Sequence, residues 1–245
     1  MSEILLNNAP LKEVIFELHW GLDFIPEQNV FIDIGFEEAL FAFQNNCEFK
    51  IVQTLNKSNE KAQINVVSHR FFKEKGTYPV YQLGPGVFTV NDNDKNYSWK
   101  NFKEMILEGI KCLRCSYNKD IFIEKIELRY IDAVETNVLG HSDKFEFIRQ
   151  AMNVPINDFT FLENELLDFN FSNRYILDDT SYLNLLVASG VNNETNNDVV
   201  IWHTFINNNQ VISWEGLNNW IENAHNHASA IFKKMIKPEL YDLFT

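Results

Sequence analysis

A five-residue pattern occurs twice in this chain, as Phe16-Glu17-Leu18-His19-Trp20 and again as Ile126-Glu127-Leu128-Arg129-Tyr130. Each copy reads apolar, acid, Leu, base, aromatic. That two-residue period is the period of a strand with one buried face and one wetter face. Its recurrence at matching points of two halves reads as an internal duplication, because the segments around the two copies also correspond.

The first strand spans Leu11 to Trp20 and turns Val14, Phe16, Leu18 and Trp20 one way, Glu13, Ile15, Glu17 and His19 the other. Pro26 opens a new element, and Phe36, Leu40 and Phe43 predict a helix from about Phe31 to Asn45. Apolar runs at 48–55, 64–73, 78–83 and 87–91 predict four strands, the last two joined by the tight turn Gly84-Pro85-Gly86. Ser98 caps a helix striped by Trp99, Phe102, Ile106, Ile110 and Leu113. The second half repeats the order: a strand over 121–135, a helix over 144–152, and strands at 166–177, 182–191 and 198–207, with a fourth short strand hard to see. After Ser213, Trp214, Leu217, Ile221, Ala224, Ala228, Ile231 and Met235 form the longest apolar stripe, and Pro238 ends it. The expected fold is α+β: two β-α-β(4)-α halves, 1–120 and 121–245, sharing one continuous fold with an antiparallel sheet covered by helices and a long C-terminal helix.

With 245 residues, 45% of them hydrophobic, the chain can bury a full core without disulfides or metals. The three cysteines are an odd number, and Cys112 and Cys115 read as reduced residues on a helix face. No run is long enough for a membrane span and the N-terminus lacks a signal-peptide pattern, so a cytoplasmic location without membrane partners is expected. The formal charge of −13 is uneven. Residues 1–120 carry 13 Lys+Arg against 16 Asp+Glu, and residues 121–245 carry 8 against 18. A −10 second half repels a phosphate backbone, which argues against direct nucleic-acid binding. The cations Lys57, Lys61, Arg70, Lys73 and Lys75 around one hairpin read as a protected strand edge.

Three stretches, Asn8-Ala9-Pro10-Leu11-Lys12-Glu13-Val14-Ile15-Phe16-Glu17-Leu18, Tyr78-Pro79-Val80-Tyr81-Gln82-Leu83-Gly84-Pro85-Gly86 and Leu128-Arg129-Tyr130-Ile131-Asp132, resemble a sporadically distributed family of uncharacterised bacterial proteins. The resemblance implies no activity, cofactor or catalytic residue. Its patchy occurrence implies an accessory gene on mobile or antiphage-defence DNA, of the kind that includes toxin-antitoxin pairs. The topology is similar to the duplicated TATA-binding-protein type of fold and, more loosely, to helix-grip sheets.

Glu17, His19, Glu127 and Arg129 form the candidate polar site. If the two long strands neighbour one another about a pseudo-twofold axis, Glu17 faces Arg129 and Glu127 faces His19, as either a ligand groove or a structural charge ladder. His225-Asn226-His227 lies in a helix, where residues i and i+2 point apart, so it lacks the geometry of a His-Asn-His nuclease. Cys112 and Cys115 have no second ligand pair at zinc spacing. Phosphate loops, nucleophile elbows and His-Glu-x-x-His are absent from the sequence. No catalytic, cofactor or metal residues are therefore assigned. The terminal Leu240, Tyr241, Leu243 and Phe244 either pack back on the protein's own core or form a docking tail. The reading is a non-catalytic accessory subunit acting through protein contacts, with a basic protein partner or a second copy of itself. The alternative is an enzyme or small-ligand binder on the polar sheet face.

Overall fold

The structure is a computed structural model that describes residues 8–55, 63–141, 143–155 and 167–245. In chain order the elements are β1 (Leu11–Trp20), β2 (Asp23–Ile25), β3 (Val30–Ile32), α1 (Phe36–Asn46), β4 (Ile51–Thr54), β5 (His69–Phe72), β6 (Val80–Gly84), β7 (Val87–Asp92) and α2 (Trp99–Ser116). They continue as β8 (Ile123–Glu135), a single 3-10 turn (Thr136–Leu139), α3 (Lys144–Ala151), β9 (Asn170–Ile176), β10 (Ser181–Val191), β11 (Asp198–Asn208), α4 (Trp214–Met235) and α5 (Pro238–Asp242). The protein is α+β. Nine strands form one antiparallel sheet in the order β4-β5-β6-β7-β1-β8-β11-β10-β9, and β2 pairs with β3 in a separate hairpin. No helix among the described residues is long and apolar enough to cross a membrane.

The chain divides into two compact units. The first comprises Glu13–Leu128 and Asn207–Glu222. In it, β1 pairs antiparallel with β7 so that Phe16 opposes Val90 and Leu18 opposes Phe88. All four side chains are fully buried. Each contributes about 1.5–3 kcal/mol by leaving water. Phe43 of α1 meets Phe71 and Phe88 at ring-centroid distances of 5.0 and 5.9 Å. The stripe Phe102, Ile106, Ile110 and Leu113 of α2 is buried as its spacing predicted. Helix α2 approaches the strands closely at Gly109, where a Cβ would lie 2.5 Å from the Phe88 ring.

The second unit holds residues 8–12, Arg129–Ile206 and Asn223–Thr245 among the described ones. Its core gathers Phe147, Ile148 and Ala151 of α3, Val187, Val200 and Trp202 of the strands, and Met235 of α4. Leu240 and Phe244 belong to the same core, 0% and 5% exposed, with Tyr241 packed against it. Three of the four named tail residues thus pack on the protein's own core, and only Leu243 is exposed.

Two local expectations need correction. The helix expected from Phe31 begins at Phe36: Val30, Phe31 and Ile32 are a strand, and Gly35 at φ +90° breaks the chain before the first helical turn. Pro26 sits in the β2–β3 turn, where Gln28 N donates to Ile25 O and Asn29 adopts φ +52°. After α3 three strands follow among the described residues.

Candidate functional site

Strand alternation puts Glu13, Glu17 and His19 on the face of β1 opposite its core residues. The imidazole Nε2 of His19 lies 2.7 Å from Glu17 Oε1, and its Nδ1 lies 3.3 Å from Asn65 Oδ1. Lys125 Nζ bridges two carboxylates, 3.3 Å from Glu17 and 3.6 Å from Glu127. Glu17 is consequently a strong carboxylate, its pKa lowered to about 2 by the His19 hydrogen bond above all, then by the charges of His19 and Lys125, against an opposing effect of burial. Glu127 is 5% exposed.

Of the four expected site residues, three therefore meet in the first unit: Glu17 with His19 on its own strand, and Glu17 with Glu127 through Lys125. Arg129 lies in the second unit, where its guanidinium stands 5.0 Å from the centroid of the Phe205 ring and, after burial, helps lower the pKa of His203.

A polar ladder on β6 and β7 belongs to the same face and was not singled out from the sequence. Asn91 Oδ1 accepts from Gln82 Nε2 at 2.9 Å and Thr89 Oγ1 at 2.7 Å, while Asn91 Nδ2 donates to Glu13 at 2.8 Å. Arg70 donates to Gln82 Oε1 through Nε and Nη2 at 3.4 and 3.3 Å. Gln82, Thr89 and Asn91 are all buried, and these hydrogen bonds give their side chains the partners a buried polar group requires. The signal was available: Gln82 alternates with Tyr81 and Leu83, and Thr89 with Phe88 and Val90. Lys73 pairs with Glu48 at 3.1 Å, whereas Lys57 and Lys61 lie outside the described residues.

Beside this network is an open cleft of about 630 Å³, lined by His19, Asn65, Glu124, Lys125, Asn209 and Val211. A carboxylate that orients an imidazole is an acid-base pair able to hold or relay a proton. Among the described residues no group of three His, Cys, Asp or Glu side chains could hold a metal. His225 instead meets the Tyr130 hydroxyl at 2.8 Å, and Cys112 lies against the Asn46 carbonyl.

A different kind of surface is offered by the β2–β3 hairpin. Phe24 opposes Phe31, with ring centroids 5.0 Å apart. Phe24, Phe31 and Ile34 are 47%, 54% and 50% exposed. The hairpin is pinned at its base. Asp33 Oδ2 accepts from Trp20 Nε1 at 3.2 Å, Gly86 N at 3.1 Å and the Tyr117 hydroxyl at 2.6 Å. Asp23 accepts from Ile34 N and pairs with Lys119 at 2.5 Å. Burial and the Asp33 carboxylate together push the Tyr117 phenol pKa far up, so it remains a donor. Between Lys12 and Lys50 the sequence carries eight acids and no Lys or Arg. That bias is the sequence signal for this surface.

No protein-family model, curated protein or solved structure matches the chain.

Proposed function

We propose that this protein is a non-catalytic interaction subunit that presents the β2–β3 hairpin to a basic partner protein. The observation that carries the reading is the pairing of Phe24 with Phe31 in an exposed hairpin whose base is fixed by Asp23 and Asp33. Aromatic anchors on a rigid support cost little entropy on binding and suit an interface centre. The partner's chemistry follows from the surroundings: acids without a Lys or Arg from Glu13 to Phe49 favour a segment that combines Lys or Arg with an apolar side chain. The accessory role in a bacterial defence or toxin-control setting, the kinship with the sporadic family and the duplication of the halves belong to the same proposal. Supporting the duplication, Phe16 and Leu18 in one copy and Ile126 and Leu128 in the other are all fully buried.

The test is capture of partners from the source cells by the parent protein, by Phe24→Ser/Phe31→Ser and by Glu17→Gln/Glu127→Gln, followed by calorimetry with the purified partner. The hairpin variant is expected to weaken binding by about tenfold or more, and rising salt to weaken it further. A partner equally well bound by the hairpin variant sinks the reading. Self-association lost in that variant makes the partner a second copy.

The second reading, an enzyme or small-ligand binder, is favoured by the Glu17–His19 pair beside its cleft. In that case Glu17→Gln/Glu127→Gln abolishes function and the hairpin variant preserves it.

A further inference from the structure

The first unit contains a second cleft, of about 810 Å³, framed by one face of α2, the 117–121 segment and the first turns of α4. Its volume is within the range of small-molecule pockets. Leu107 and Ile110 line its α2 side, one turn apart from Lys111 and Arg114, and Leu217 comes from α4. The charge here runs against the rest of the molecule. Lys111, Arg114 and Lys119 line the cleft with Asp120 as the single acid, in a chain whose net charge is −13.

The three cations are not equivalent. Lys119 is held by Asp23 at 2.5 Å, and Lys111 lies 3.8 Å from Glu108. Arg114 has no ion pair among the described residues, although Glu215 feels its charge. Its guanidinium lies over the Trp214 ring, 4.8 Å from the centroid. That ring is itself fixed, because Trp214 Nε1 donates to the Ile121 carbonyl at 3.2 Å. An exposed guanidinium set over an indole and held in no ion pair among the described residues can present its N–H donors to an anion, and its fork matches phosphate and carboxylate oxygens two at a time.

We propose that this cleft binds a small organic anion: a flat apolar body carrying a phosphate or carboxylate. The body lies along Trp214, Leu107 and Ile110, and the anionic group engages Arg114 with Lys111 beside it. The cleft shares Tyr117 and Lys119 with the base of the hairpin but no residue with the His19 cleft, and Arg114 contacts neither, so Arg114→Gln tests this site without touching the interaction reading.

The probes are 1-naphthyl phosphate and 1-naphthoate, with neutral 1-naphthol and inorganic phosphate as controls, each titrated calorimetrically into the full chain. At least one aromatic anion is expected to bind at about millimolar affinity or tighter, and both controls about tenfold more weakly. The tighter of the two anions identifies the head group. Arg114 is exposed, so Arg114→Gln should fold normally and weaken binding by about tenfold or more, the scale of a charge-assisted contact. Arg174→Gln removes another arginine that lies over a ring, 4.0 Å from the centroid of Tyr182, and should change nothing. Cys115 gives a second readout, since it is exposed and lines the cleft: in Cys112→Ser its alkylation should slow when the anion is bound. Absence of saturable binding of either anion at several times millimolar concentration (about 5 mM) overturns the proposal. So does unchanged affinity in Arg114→Gln, or unaltered Cys115 alkylation at saturation.

Discussion

Asp132 is a carboxyl group enclosed by core side chains. It is 5% exposed on β8, on the side of the strand that carries Leu128 and Val134. Burial raises its pKa from 3.8 to about 7, while the Trp202 indole and the Lys12 charge pull the other way. Trp202 Nε1 has no partner of normal hydrogen-bond geometry, so the carboxylate has little to offset its lost hydration. The folded protein thus binds a proton that the unfolded chain has released between about pH 4 and pH 7. Stability from this group is greatest below the unfolded pKa and falls as pH rises towards about 7. Asp132→Asn removes the dependence. It should stabilise the fold at pH 8 by an amount on the order of 1–3 kcal/mol, read as a higher thermal midpoint, and give almost no gain at pH 4. Melts of the two proteins at both pH values test this, and an equal difference at the two would refute the assignment. Strand alternation puts Asp132 in line with Ile126, Leu128 and Tyr130, so its burial was legible in the sequence. The Trp202 contact was not, since it joins residues 70 positions apart by their numbers.

At the level of elements, α4 shows what periodicity can and cannot reveal. Ser213 Oγ accepts from Gly216 N at 3.2 Å, and Leu217, Ile221, Ala224, Ala228 and Met235 are buried along the expected stripe. Ile221 is fully buried, so Ile221→Asp should cost about 3–5 kcal/mol by leaving a carboxylate without a partner in the core. A thermal melt identical to that of the parent would mean that this stripe is not core. Long amphipathic helices announce themselves because every turn repeats the same constraint. The β2–β3 hairpin does not, because each strand has three residues and neither shows a full alternation. Its apolar residues continue into Phe36 and thereby imitate a helix that starts five residues early. The Gly35 backbone at φ +90° is what separates the hairpin from α1, while Asn29 at φ +52° makes the turn inside the hairpin. The site shows the same division. Glu17 and His19 were readable as one strand face, but the lysine that joins Glu17 to Glu127 lies 108 residues away in sequence from Glu17.

For the molecule as a whole, the charge balance argues against a nucleic-acid chain as partner, whatever the topology suggests. The expected topology invites comparison with nucleic-acid-binding sheets, yet 34 acids face 21 Lys and Arg across the sequence. Within the basic hairpin cluster, Arg70 is spent on Gln82 and Lys73 is paired with Glu48. The proposed site at Arg114 and Lys111 takes one anionic group, with Lys119 paired to Asp23, whereas a nucleic-acid chain would carry many more phosphates across a surface rich in carboxylates. Affinity for such a chain grows with the number of phosphates neutralised and the counterions released. A handful of cations supplies few such contacts, and each weakens as salt screens it. The expected result is no tight complex with a random duplex or single strand at about 150 mM salt, measured by fluorescence anisotropy. Binding tighter than about micromolar that persisted at that salt would overturn the charge argument and make the polar sheet face, with Arg70 and Lys125, the surface to test next.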